Sequence, residues 1–386
     1  MENSNLPIIR VKEFDNLWES NKISKIVRIS AGGDIDKLKL RKKGKYPVIA
    51  NSLMDDGIVG FYDDYKVEAP AVTVTGRGDV GHAVARHENF TPIVRLLTLK
   101  SNKIDVDFME NLINSIHILN ESTGVPQLTA PQLGSYKISF PSLAEQSAIG
   151  SLFRTLDDLL TSYKDNLANY QSLKATMLSK MFPKAGQTVP EIRLDGFEGE
   201  WELLEINDLA DDIQSGGTPK TNVQEYWDGD IPWIQSSDLE TNCLFEIKVQ
   251  KSISEKGLKN SSAKIIPKDS IAVVTRVGVG KLVVMQHEYA TSQDFLSLSN
   301  LKSNIEFTAY LLYRLLQKEV TQLQGTSIKG ITKVELLSKK VLIPSLPEQQ
   351  AIGAYFSNLD QLITSYQEKI SQLETLKKKL LQDMFI

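Results

Sequence analysis

The sequence holds a single cysteine, Cys243, and only four histidines, His82, His87, His117 and His287. A lone thiol excludes a disulfide within the chain and points to a reducing interior. His87-Glu88 and His287-Glu288 recur in matched places, but neither begins a His-Glu-x-x-His zinc helix, so no metal is expected. No apolar run is long enough to cross a bilayer. Met1 to Pro7 is polar, so no signal peptide and no membrane association are expected, and the cytoplasm is the expected location. A net charge of −4 at pH 7 argues against a protein that coats nucleic acid indiscriminately. It leaves room for a local basic face, because the distribution of charge decides that. The composition is globular, and 386 residues exceed one ordinary core, which suggests two or three domains.

What the chain does hold is a long stretch used twice. Pro141-Ser142-Leu143-Ala144-Glu145-Gln146-Ser147-Ala148-Ile149-Gly150 runs on to Met181-Phe182; Pro344-Ser345-Leu346-Pro347-Glu348-Gln349-Gln350-Ala351-Ile352-Gly353 runs on to Met384-Phe385. Close to half the positions are identical without a gap, which marks an internal repeat. The repeat extends upstream: Pro7, Ile9, Arg10, Phe14 and Trp18-Glu19 return as Pro190, Ile192, Arg193, Phe197 and Trp201-Glu202. Each unit therefore opens before a globular part and ends in a helix. The expected divisions are 1–140 and 184–343 for the globular parts, and 141–183 and 344–386 for the helices.

Within each globular part, Gly32-Gly33 answers Gly216-Gly217, and Tyr46–Ile49 answers Ile231–Ile234 as a short strand. The runs Ala71–Thr75 and Ile271–Thr275 lead into glycine-rich turns and out through Ala83-Val84 and Leu282–Val284, a hairpin-like pattern. Helices are expected around 108–119 and 307–324, and last strands at Tyr136–Phe140 and Lys340–Ile343.

The repeated helices start with a Ser-x-x-Glu capping box, Ser142 to Glu145 and Ser345 to Glu348. One apolar line steps by seven through Ile149, Leu156, Tyr163, Tyr170 and Met177, and again through Ile352, Leu359, Tyr366, Leu373 and Leu380. A second line, Leu152, Leu159 and Leu173, matches Tyr355, Leu362 and Leu376, and a flank of Phe153, Leu160, Leu167 and Met181 widens the stripe. This is coiled-coil spacing, and roughly 37 residues would reach about 55 Å. Such a helix needs a partner, and its own repeat is the nearest one. The fold class expected is α+β: two mixed α/β globular units joined by two long helices, with antiparallel pairing placing the copies about a pseudo-two-fold axis.

The candidate chemistry lies in loops. Gly76-Arg77-Gly78-Asp79-Val80-Gly81 has three glycines spaced as in a dinucleotide site, but a strand follows where a helix is required. Gly280-Lys281 fails as a P-loop because Leu282 replaces the Ser or Thr. What both units share is one arginine on the turn, Arg77 and Arg276, suited to phosphate or guanine and equally readable as a solvated turn. Lys39, Arg41, Lys42 and Lys43 form a basic run in the first unit. Lys220, Lys281 and Lys329 stand near the matched loops of the second. Asn51, Ser52, Gln127, Gln235, Ser236 and Ser327 lie in loops paired by the repeat, where base contacts would be made. Asp238 and Glu246 carry the letters of a metal-dependent nuclease, without an equivalent in the first unit. No motif resembles a catalytic centre. Besides DNA recognition, the residues leave open a nuclease built on Asp238 and Glu246, and a coiled-coil scaffold with no role at DNA.

The doubled Pro-Ser-Leu-x-Glu-Gln-x-Ala-Ile-Gly, the following Leu156-Asp157 and Leu359-Asp360, and the terminal Met-Phe pairs resemble the conserved regions of type I restriction–modification specificity subunits. So do Ser215-Gly216-Gly217-Thr218-Pro219 and Tyr226-Trp227-x-Gly229-x-Ile231-Pro232-Trp233-Ile234; in the first unit Ala31-Gly32-Gly33-Asp34 lacks the Thr-Pro. The resemblance implies that each globular unit is a target recognition domain for one half of a bipartite sequence in double-stranded DNA. It implies helices that set the spacer and dock two methyltransferase subunits, with two restriction subunits joining the full complex. It also implies a chain without chemistry or cofactor of its own, S-adenosylmethionine, ATP and Mg²⁺ belonging to the partners.

Overall fold

The structure is a computed structural model describing residues 6–116, 118, 126–323 and 330–385. The chain divides into two compact units, Met1–Asp165 with Tyr366–Ile386, and Asn166–Ser365. Each unit thus takes one part of each long helix.

Both units are built on the same sheets. In the first, an antiparallel sheet runs Arg28–Ala31, Leu97–Lys100, Ala71–Val74, Ala83–Arg86. In the second the order is Ala210–Ser215, Phe295–Leu301, Ser270–Val274, Leu282–Met285. The central strands are buried along their length, as the mostly apolar runs Ala71–Val74 and Ile271–Val274 suggest, Thr73 included. A three-stranded sheet accompanies each: Ile58–Tyr62, Tyr46–Ile49 and Thr91–Pro92 in one unit, Lys251–Ile253, Trp227–Ile234 and Ala290–Thr291 in the other. In both, the last pairing is parallel. Two-stranded ribbons, Glu19–Lys22 with Lys137–Phe140 and Glu202–Glu205 with Lys340–Ile343, bring the chain to the long helices. The helices expected near 108 and 307 span Val106–Ser115 and Ile305–Leu323. They begin earlier than their apolar pattern because Asp105 and Asn304 accept from the backbone N–H groups of Phe108 and Phe307, and so fix the start.

The long helices span Leu143–Lys180 and Leu346–Met384. Within the first unit their numbering runs in opposite directions: Asp157 accepts from Lys377 at 2.5 Å, Tyr163 meets Tyr366 edge to face at 5.5 Å, and Lys164 pairs with Glu374 at 2.7 Å. In the second unit Lys174 pairs with Asp360 in the same antiparallel sense. The first heptad line does the packing. Ile149 and Leu156 enter the first unit's core with Leu373 and Leu380 against it, while Ile352 and Leu359 enter the second, joined by Tyr170 and Met177. The second line does not form the expected seam: Leu152, Leu159, Leu173, Leu362 and Leu376 stay 36–44% exposed. The flank replaces it, with Phe153, Leu160 and Met181 buried, because the helices pack against globular cores as well as each other.

Only half of the expected capping box forms at Ser142. Ser142 Oγ accepts from the Glu145 N–H at 3.4 Å, but the Glu145 carboxylate does not turn back to the helix start. It is buried and accepts a two-pronged contact from Arg10, Nε to Oε1 at 2.7 Å and Nη2 to Oε2 at 2.8 Å. Arg193 and Glu348 repeat this at 2.8 and 2.7 Å. Each pair ties the opening of a unit to the start of a long helix. The neighbouring glutamines complete the joint: Gln146 accepts from Asp105 N and donates to Pro141 O, as Gln349 does with Asn304 N and Pro344 O. Gly150 lets the helices touch, since a Cβ there would lie 2.6 Å from Asp105 Oδ1 and 2.9 Å from Phe108 N. The doubled motif is thus a mechanical joint.

The Met-Phe pairs close the cores. Phe182 stacks on Phe307 at 5.5 Å in the second unit; Phe385 packs on Phe108 at 5.4 Å and Phe153 at 5.7 Å in the first. Ile192 N donates to Lys180 O, and Ile9 N donates to Asp383 O, so each opening segment caps the end of a long helix.

One acid beside this joint titrates near neutrality. Burial pushes Glu110 up to about 7, and Asp157 and Asp107 add to the rise while the Ala85 backbone and Lys377 oppose it. The folded value lies above the unfolded one, so the ionised form is disfavoured by folding. Stability contributed here is present below the unfolded value of 4.5 and is lost as pH rises to about 7. Glu110→Gln should remove that slope, and denaturation midpoints at pH 5 and pH 8 should differ less in the variant than in the parent.

Candidate nucleic-acid interface

The two glycine turns that follow Ala71–Val74 and Ser270–Val274 carry the candidate site. Gly78 and Gly81, with φ of 80° and 90°, and Gly278 and Gly280, with φ of 91° and 104°, allow the chain to double back tightly. Arg77 and Arg276 fall at the same register on the two scaffolds, and both are exposed.

In the first unit three predicted residues come together. Asn51 Oδ1 accepts from Gly76 N at 2.7 Å, and its Nδ2 donates to Val94 O, so Asn51 braces the turn. Arg77 pairs through its backbone with Gln127, Gly78 N donates to Pro126 O at 3.2 Å, and Leu128 N to Gly76 O at 2.9 Å. Arg95, which belongs to neither the repeat nor the basic run, joins them: its Nη1 donates to Gln127 Oε1 at 3.3 Å. The strand register brings it there: Val74 opposite Leu97 places Gly76 opposite Arg95 two residues on. Ser52 accepts from Met54 N and serves a local turn. The basic run is not joined to this cluster. Arg41 pairs through its backbone with Phe61, its side chain meets Asp63 at 3.0 Å, and Lys39 lies 3.6 Å from Asp64. Lys42 and Lys43 are exposed.

In the second unit a groove of about 930 Å³ is lined by Ser215, Arg276, Gln293, Thr332 and Lys333 among others. Gln293 accepts from Thr218 Oγ1 at 2.6 Å, which leaves its amide N–H groups for another partner. Gln235 and Ser236 form a neighbouring turn whose Gln235 N–H is capped by Asp238. Lys281 serves the structure: its ammonium donates to Leu239 O at 2.7 Å and Ser236 O at 3.4 Å, so it braces that turn and presents little charge outward. Lys220 is exposed, with its carbonyl accepting from Trp227 Nε1. Ser327 and Lys329 lie outside the described residues. Of the two carboxylates suggested for a nuclease, Asp238 is buried and caps the Gln235 N–H, while Glu246 is exposed. Among the described residues no group of three or more His, Cys, Asp or Glu is placed to hold a metal ion, and no helix is long and apolar enough to cross a membrane.

Two copies of one sheet-and-turn scaffold, each presenting an arginine beside a polar loop and each locked to long paired helices, define a protein of tandem recognition modules. The chain belongs to the type I restriction modification DNA specificity domain family, whose profile matches residues 16–169 and 198–375. It is 22% identical over 405 aligned positions to the putative type I restriction enzyme MjaX specificity subunit of Methanocaldococcus jannaschii, covering 96% of this chain and 93% of that one. It is 23% identical to the putative type I specificity subunit S.MpnORF507P of Mycoplasma pneumoniae, over 94% of each. It matches the MjaIX specificity subunit of M. jannaschii at 28% identity over 48% of this chain and 44% of that protein. The fold is that of the type I restriction–modification S subunit from M. genitalium, with a TM-score of 0.68, 17% identity and 99% of both chains covered.

Proposed function

We propose that this chain selects the DNA target of a type I restriction–modification complex and performs no chemistry itself. Each unit reads one half of a bipartite site, and the long helices set the distance between the halves. The observation that carries this reading is the matched pair Arg77 and Arg276, held at one register on two copies of a scaffold whose family is defined by DNA specificity. Arginine's planar fork suits base edges and phosphates alike. Leu152, Leu159 and Leu376 in one unit, and Leu173 and Leu362 in the other, stay partly exposed on the long helices. They supply apolar surface for two methyltransferase subunits, whose nuclease partners, two restriction subunits, join in the full assembly. Such a complex acts on DNA in the cytoplasm.

The test is a methylome of cells carrying the chain with its methyltransferase. Seven residues inserted into both helices, after Leu167 and after Ile370, lengthen each by about 10.5 Å. That is roughly three base pairs at 3.4 Å each. The spacer should grow by about that much with both half-sites unchanged; altered half-sites with an unchanged spacer would overturn the ruler.

A further inference from the structure

We infer that Arg95 is a base-reading residue of the first unit, pairing through its guanidinium with the acceptor edge of a guanine in one half-site. This rests on the reading that the unit recognises DNA. Arg95 stands at the lip of the turn that bears Arg77: a Cβ on Gly76 would lie 2.6 Å from the Arg95 carbonyl oxygen. Its backbone and that of Val94 adopt left-handed φ values of 62° and 48°, an uncommon state for any side chain and a costly one for a β-branched residue. The lip is held there by Val94 N donating to Gly33 O at 2.9 Å, Arg95 N donating to Gly32 O, and Asn51 donating to Val94 O. The result is that both side chains face outward, Val94 at 44% exposure beside an exposed Arg95.

The guanidinium is oriented, and among the described residues no carboxylate pairs with it. Gln127 Oε1 accepts from it, and Gln127 is itself fixed by backbone pairing with Arg77, so two arginines flank one glutamine. Lys39 and Arg41, by contrast, are each matched by an aspartate. In the second unit the same place opposite the turn belongs to Asp294, whose carbonyl accepts from Thr275 N at 2.7 Å. In the first unit the matching N–H, that of Gly76, donates to Asn51 Oδ1 instead, so neither unit uses the side chain at this place to hold the turn. An oriented, planar fork next to exposed apolar surface fits the O6 and N7 acceptors of guanine better than a phosphate, which a flexible lysine serves as well.

The experiment maps methylation for the full chain with its methyltransferase, comparing the parent, Arg95→Ala and Arg95→Lys. Exchange of residues 184–343 identifies which half-site belongs to the first unit, as the one left unchanged. Both substitutions should relax one guanine position in that half-site by roughly ten- to hundredfold, leaving the spacer and other half-site intact. Should Arg95→Ala abolish methylation altogether, Arg95→Lys decides, because it keeps the charge and length. A parent motif retained in Arg95→Lys, or a uniform fall at all sites, would overturn the base contact. A parent chain that directs no bipartite motif would instead remove the proposed function.

Discussion

Arg10→Ala should destabilise the first unit by about 3–5 kcal/mol, the usual cost of stranding one member of a buried ion pair. The Glu145 side chain is 1% exposed and receives both of its charged contacts from Arg10, at 2.7 and 2.8 Å. Once Arg10 is gone, the carboxylate must be desolvated without compensation or water must open the joint. Arg10 also donates to the Asn16 carbonyl, so the opening segment loses its anchor too. The second unit keeps its own pair, Arg193 and Glu348, and should be unaffected. Hydrogen exchange read separately in the two units is the proper measurement, because a two-unit chain need not melt in one step. Replacing both partners by apolar residues, Arg10→Met with Glu145→Leu, should restore much of the loss. A cost in Arg10→Ala below about 1 kcal/mol, the level of an exposed pair, would show that the contact is not a clamp.

Phe385→Ala should cost about 3–5 kcal/mol in the first unit, as a large aromatic removed from a packed core. Phe385 is 8% exposed and lies against Phe108 and Phe153, which come from early in the sequence. Protection should therefore fall in the helix Val106–Ser115 and the strands it covers, while Ser270–Val274 in the other unit keeps its own. Phe182→Ala should produce the mirror result, since Phe182 is 1% exposed among Trp201, Phe307 and Phe356. Equal loss of protection in both units from either change would contradict the division of the cores.

The local structure was largely legible. Ala71–Val74 and Ser270–Val274 are short, mostly apolar runs leading into glycine-rich turns, and fully buried strands read that way. The seven-residue step from Ile149 to Met177 is sustained long enough to exclude a strand. The site was legible only in outline. Arg77 and Arg276 stood out because the repeat pairs them, but Arg95 and Asp294 differ in charge and no repeat could match them. Lys281 looked like a surface cation because nothing local shows the carbonyls of Ser236 and Leu239 closing on its ammonium. Glu145 looked like a helix cap because Ser-x-x-Glu is a local pattern, whereas its partner Arg10 lies far back in the chain.

The sequence by itself determined the repeat, the element types and the two long helices, because each depends on periodicity and turn chemistry within a few residues. Tertiary structure alone decided which helix segment closes which core, that the doubled Glu-Gln motif is a joint, and which loop side chains are free. Those outcomes depend on register between distant strands and on the burial of charge, and neither is set by neighbours in the chain. In unit one, the fold places Phe385 on Phe108 and Phe153 with Met384 in the same core, and only there does the repeated Met-Phe acquire its physical meaning.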